Sequence, residues 1–287
     1  MGIRRRCAIQ ILGAAEPRTL GQGGKLAIRN LPPFSPIAVR VMLLLRQPDV
    51  SYREVADVLM LDAGFAAEVL RLANSAAAGC RFPTTSILQA LTVLGIPRVS
   101  ALTAALALSK FLKPVSKLPA LRCCWRHNLA CAIASSRLAD RYNLDPDFAY
   151  TFGLLHDIGR MGMLVAVPRE YPMVIHRSGE TSRCLIDLEF GTFGFDHREV
   201  GGWLTEQWNL PAEVAEVSLH HGPGAAPSTP LTKVVHEACL LANRIGFTLC
   251  ASMGGPNCPL PERPAPSGQF ELSIAEQVNL CEQEFGL

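Results

Sequence analysis

The run Gly153-Leu-Leu-His-Asp-Ile-Gly159 sets an imidazole beside a carboxylate, His156 and Asp157, at the end of an apolar stretch. Such a pair offers a divalent metal two unlike ligands from one turn of backbone. The histidines all fall from His127 onward, and His127, His197, His220 and His221 are the ones placed to join the pair. If the helices bearing His127 and His156 form an antiparallel hairpin, a rise of ~1.5 Å per residue returns His156 to within about two turns of His127. His197 follows Phe-Gly-Phe-Asp at a helix start. His220 and His221 end a helix before Gly222. Neighbours diverge by about 100° on a helix, so both can face one cleft only at such an end. Without a metal, His127, His156 and Asp157 form a buried hydrogen-bonded group that locks two helices together.

Helices must position these groups, because no alternating strand pattern or Asn-Gly hairpin turn stands out. Ile37, Val41, Leu44 and Leu45 form a stripe behind Pro36. Ser51 with Glu54 is a capping box, Asp62 and Ser86 cap further helices, and residues 30–113 read as one helical subdomain. A linker over Pro114–Pro119 leads to a second set over 120–250. There, Asp145-Pro146 opens the helix that bears His156 and Asp157. The segment 184–190 is helical, Gly191 to Gly194 a loop, and helices follow near 197–208, 211–221 and 230–246. Residues 1–29 read as an arm. Residues 253–268 are a Pro/Gly-rich tether. Ser273 and Glu276 are a second capping box opening an amphipathic helix that carries Ile274, Val278, Cys281 and Phe285 and docks on its own chain.

Composition narrows the class. Aromatic content is 7%, hydrophobic content 49%, and the net charge +2 gives no electrostatic case for nucleic acid or an anionic membrane. Arg4 to Arg6 read as a solvated arm. The longest apolar stretch, Val99 to Leu108, is broken by Ser100 and Thr103 and is too short to span a bilayer. No secretory leader is expected from the brief apolar patch after the basic N-terminus. Ten cysteines lie scattered without a Cys-x-x-Cys, as in a cytoplasmic protein that buries them as small hydrophobes.

The order of motifs resembles a known family. Leu31-Pro32, Leu70-Arg-Leu-Ala-Asn-Ser-Ala76, Gln89-Ala-Leu-x-x-Leu-Gly95, Trp125-x-His127, Gly153 to Gly159, Phe193-Gly-Phe-Asp-His197, Trp208-x-Leu-Pro211 and His220-His221 are similar to the HDOD domain over about 30–245. That domain is a signalling-associated branch of the HD metal-phosphohydrolase superfamily. The resemblance implies an all-α fold of two packed helical subdomains, the second HD-like, in a bacterial cytosolic setting. It also implies that His127, His156, Asp157, His197, His220 and His221 match metal-holding positions of catalytic relatives. Two carboxylates of those relatives are replaced: Cys239 stands for a late Asp and Cys123 for a Glu one turn before His127, while Arg160 replaces a Lys.

Thiols in place of carboxylates remove hard ligands that hold Mn or Fe and favour softer ions. Cys123, His127, His156, Asp157 and Cys239 then compose a zinc-like set with little room for a reactive water. The expectation is a non-catalytic regulatory module with a divalent metal (Zn, Fe or Mn) or none. It would bind a small ligand or a signalling protein in trans, and no nucleic acid or membrane. The alternative is a metal-dependent phosphohydrolase acting on a nucleotide or cyclic dinucleotide. Asn74 and Ser75, at a helix end, cap or bridge the halves, with a ligand or interface role as the sharper reading.

Overall fold

The computed structural model describes residues 21–47, 49–74, 84–181, 184–222, 224–248 and 268–285, and every regular element among them is helical. The arm expected over 1–29 contains a helix, α1 (Gly21–Arg29), anchored by buried Ile28. Five helices follow: α2 (Pro36–Leu44), α3 (Tyr52–Leu59), α4 (Ala63–Ala73), α5 (Ile87–Leu94) and α6 (Ile96–Leu112). Their starts obey local chemistry. The Ser51 hydroxyl accepts from the Glu54 N–H while the Glu54 carboxylate accepts from the Ser51 N–H, and Asp62 and Ser86 cap α4 and α5. Each such cap satisfies backbone donors that a helix start leaves unpaired.

The second group opens with α7 (Pro119–Leu138), which runs on as a 3-10 turn over Ala139–Tyr142. Then come α8 (Pro146–Leu155), α9 (Ile158–Ala166), α10 (Glu170–Thr181), α11 (Leu185–Phe193), α12 (His197–Gln207), α13 (Ala212–Leu219) and α14 (Pro230–Arg244), with α15 (Gln269–Phe285) last. The loop expected from Gly191 to Gly194 is shorter. Helix α11 continues to Phe193, which is fully buried, and Gly194 alone takes the left-handed φ of 81° that ends it.

Helix α7 is the axis of this half, packed against α8, α14 and α15, while α12 lies across α9 and α13. Helix α6 packs on α8 and joins the two groups through one continuous core. Trp208, at the end of α12, stacks on Phe34 and meets Phe111 edge-on, tying the halves at a second point. Among the described residues no single helix is long and apolar enough to cross a membrane.

Helix α15 docks on α7 with Ile274 and Val278 fully buried. It starts at Gln269, so Ser273 is no N-cap. Its hydroxyl instead accepts from Arg137 and donates to the Phe270 carbonyl. Glu282 pairs with both Arg122 and Arg126 of α7. Glu282→Gln is therefore expected to lower stability by about 1.5–3 kcal/mol, the range for hydrogen bonds to charged groups. Chemical denaturation at low and moderate salt checks this, with a smaller loss at the higher salt.

Candidate metal centre

Helix α8 ends at Leu155, and α9 begins at Ile158, so His156 and Asp157 occupy the break between them. Asp157, with φ −107° and ψ 27°, turns the chain there. Gly159 lets α9 pass directly over the first turn of α12: a Cβ at this position would stand 1.8 Å from the His197 carbonyl oxygen. That crossing brings His197, at the first position of α12, onto Asp157. His221, just past α13, arrives from another side. His127 and Cys131 on α7 and Cys239 on α14 complete the group. All of these side chains are buried.

The four imidazoles form an arc, with ring centroids 5.4 Å apart from His127 to His156, 4.9 Å from His156 to His221 and 5.4 Å from His221 to His197. Every one has its outer nitrogen pinned. Nδ1 of His127 donates to the Phe247 carbonyl at 2.6 Å, of His156 to the Gly153 carbonyl at 2.7 Å, and of His221 to the Ser218 carbonyl at 2.8 Å. A carbonyl oxygen only accepts, so these nitrogens carry the protons. Nδ1 of His197 donates to the Glu189 carboxylate at 2.6 Å, and Tyr171 donates to the other oxygen of Glu189. All four Nε2 atoms are thereby presented inward, the arrangement that fixes tautomer and ring orientation in metal-binding histidines.

The ends of the arc differ in chemistry. At the His127 end, Cys131 Sγ and Cys239 Sγ lie 3.5 and 3.6 Å from His127 Nε2. The hydrogen bond from Cys131 and the neighbouring His127 bring the Cys239 thiol well below its ordinary 9.0, whereas burial holds the Cys131 thiol well above it. Burial opposes charge on His127, while the neighbouring Cys239 raises its pKa. At the His197 end, Arg160 Nη1 stands 2.7 Å from Asp157 Oδ2 and Nη2 donates to His197 Nε2 at 2.9 Å. In the middle, His221 Nε2 is 3.2 Å from Asp157 Oδ1. Burial alone would raise the Asp157 pKa. Arg160, then His221 and His156, overcome that and hold the carboxyl well below the usual range.

Of the residues singled out from sequence, His127, His156, Asp157, His197, His221, Cys239 and Arg160 are gathered here. Two are not. Cys123, half-buried on α7, belongs to neither close group of donors, and His220 is half-buried and likewise outside them. Asn74 ends α4: its amide donates to the Leu70 and Thr84 carbonyls and accepts from the Thr84 N–H. Ser75 lies outside the described residues. Sequence reasoning missed Cys131, one turn after His127, and Glu189, an acid inside the apolar run Leu185-Ile-Asp-Leu-Glu-Phe190.

The arc sets nitrogen and sulfur donors beside a single inward carboxylate. Two catalytic cations need hard anionic ligands and a shared water. Here the arc offers a single inward carboxylate, already ion-paired, while Glu189 is committed to the outer nitrogen of His197. His127, Cys131, His156 and Cys239 supply the nitrogen and sulfur set that a thiophilic ion prefers.

A family model for the HDOD domain matches residues 31–223. The crystal structure of an HDOD domain protein with unknown function from Geobacter sulfurreducens is similar at TM-score 0.65 and 25% identity, covering 92% of this chain and 96% of that one. A Shewanella amazonensis SB2B structure shares the fold at TM-score 0.64 with 22% identity, covering 90% and 94%. An uncharacterized protein of Treponema pallidum (strain Nichols) is 22% identical over 204 residues, which are 70% of this chain and 39% of that protein. The chain thus spans about two fifths of the length of that curated relative. The family model covers most of the chain, and the helices it spans build the histidine arc: the chain belongs to the HDOD domain family.

Proposed function

We propose that this HDOD chain is a regulatory module whose cleft recognises a small ligand or a signalling partner in trans and hydrolyses nothing. The observation that carries this reading is the placement of Arg160. Its guanidinium sits on Asp157 Oδ2 and His197 Nε2, the two atoms a second catalytic cation would have to engage. A guanidinium supplies fixed positive charge and hydrogen bonds, but it cannot turn water into a nucleophile as a metal does.

Beside the arc lies a cavity of about 380 Å³ whose lining includes Arg160, Arg198, His197 and His221 together with Ile186 and Leu240. A lining that combines two guanidinium groups with aliphatic side chains suits a compact anion with an apolar body. Hydrolysis of a nucleotide or cyclic dinucleotide is the opposing reading. It would rest on His156, Asp157 and His221, whose ligand atoms also lie within 4.8 Å of one another. Arg160 against Asp157 disfavours a dication there by charge repulsion. Turnover of simple phosphomonoesters and phosphodiesters with added Mn2+, Fe2+ or Zn2+ tests the choice. The expected result is no turnover above that of the His156→Ala variant. Turnover that vanishes in His156→Ala would overturn the proposal.

A further inference from the structure

We infer that His127 Nε2, Cys131 Sγ, His156 Nε2 and Cys239 Sγ form a closed four-ligand site for a single thiophilic divalent cation, with Zn2+ the ion their chemistry selects. Tetrahedral zinc holds nitrogen at about 2.0–2.1 Å and sulfur at about 2.3 Å, which places a nitrogen and a sulfur ligand roughly 3.5–3.6 Å apart. The sulfurs of Cys131 and Cys239 stand 3.5 and 3.6 Å from His127 Nε2, and the four ligand atoms all lie within 4.8 Å of one another.

Hydrogen bonding accounts less well for the same atoms. His127 Nε2 has one position, a lone pair or a proton, to share between two sulfurs. His156 Nε2 stands near Cys239 but is buried without a hydrogen-bond partner of proper geometry. A buried orphan of this kind costs about 1–3 kcal/mol unless something else satisfies it. A dication held by both sulfurs as thiolates would take up the lone pairs of His127 Nε2 and the orphaned His156 Nε2, with the thiol protons released to solvent. The bound centre is then neutral, Zn2+ with two thiolates, as a dry interior requires.

Competing use of His156 is limited. It can give its Nε2 to one ion only, and the three-ligand alternative with Asp157 and His221 has Arg160 2.7 Å from the carboxylate. With four protein ligands no open position remains for water, so the ion would staple α7, the α8–α9 break and α14 together. This inference rests on the ligand atoms and not on the regulatory reading, since a structural ion at this end is compatible with either outcome of the turnover assay.

Cobalt titration of the chelator-treated full chain tests it. One Co2+ per chain is expected, with the strong visible bands of a tetrahedral ion and near-ultraviolet sulfur-to-cobalt charge transfer, both removed by equimolar Zn2+. Cys131→Ser and Cys239→Ser should each reduce the charge-transfer band and weaken affinity more than about tenfold, the loss that even an outer-shell change produces. Cys123→Ser should leave spectrum and affinity unchanged, and helical circular dichroism establishes that each variant is folded. A pale octahedral spectrum without charge transfer, two ions per chain, or no binding by the wild-type chain would each overturn the inference. An unchanged band in folded Cys131→Ser would do the same.

Discussion

Replacing Arg160 by methionine, which keeps much of the side-chain volume, is expected to cost about 3–5 kcal/mol at neutral pH, the loss typical of breaking a buried ion pair. The residue neutralises Asp157, a carboxylate with about 1% of its surface exposed, and satisfies His197 Nε2. Without it, a buried charge and a buried acceptor are left together. The sign with pH follows from the depressed Asp157 pKa. Stabilisation by this carboxylate is present above its unfolded value, ordinarily 3.8, and is lost as pH falls through the lower folded value. In Arg160→Met the depression shrinks, so the variant deficit is full at neutral pH and narrows only as pH falls below 3.8 toward the lower folded value. Divalent cations add a second signature. Mn2+ or Zn2+ should restore stability to the variant more than to the parent, because the ion can take the vacated place. Denaturant midpoints at two pH values, with and without metal, check both. A variant as stable as the parent and indifferent to metal would remove Arg160 from its assigned role.

Gly159→Ala is expected to cost 3 kcal/mol or more, or to prevent folding. The added Cβ would lie 1.8 Å from the His197 carbonyl oxygen and 2.5 Å from the Gly201 nitrogen. Both are backbone atoms of the first turns of α12 and cannot swing aside like a side-chain tip. Overpacking usually costs about 1–3 kcal/mol, and a backbone clash sits at the upper end or beyond. The gain in helix propensity, about 1 kcal/mol at most, cannot offset it. Gly202, one residue past Gly201 on the same helix, provides the control, because a Cβ there meets nothing within 4 Å. Gly202→Ala should be neutral or stabilising by up to about 1 kcal/mol. Paired denaturation curves decide the matter, and equal losses in both variants would refute the close crossing of α9 over α12.

Much of the architecture was legible because it is written in local chemistry. Ser51 with Glu54, Asp62, Ser86 and Asp145-Pro146 act through side-chain to backbone bonds within three residues, so their helix starts need no knowledge of the rest. Ser273 carries the same signature but fails, because a tertiary partner outbids the local one. Arg137 takes its hydroxyl and also lies over the Phe270 ring, so α15 extends upstream. Gly191 and Gly194 look alike in sequence. Burial of Phe193 keeps the first within the helix and leaves the left-handed position to the second.

The centre divides in the same way. His127, His156, Asp157, His197 and His221 are residue types with few other reasons to recur in such an order, whereas Cys239 is placed by the family resemblance alone. Cys123 and Cys131 both stand one turn from His127, and sequence alone does not choose between them. Side chains on a helix lean toward its N-terminus, so Cys131 reaches back to the level of His127 while Cys123 leans away. Glu189 was hidden for a different reason. An acid amid Leu188 and Phe190 reads as a surface residue of an amphipathic helix, and only tertiary packing gives it its partners, Tyr171 from α10 and His197 from the start of α12.

Elemental analysis of protein purified without added metal or chelator weighs most directly on the claim that one cation place in this arc is filled by Arg160. One transition-metal ion per chain, zinc above others, is the expected result. Two ions per chain would show that the guanidinium yields its place to a second metal, and the case for recognition without hydrolysis would fall with it.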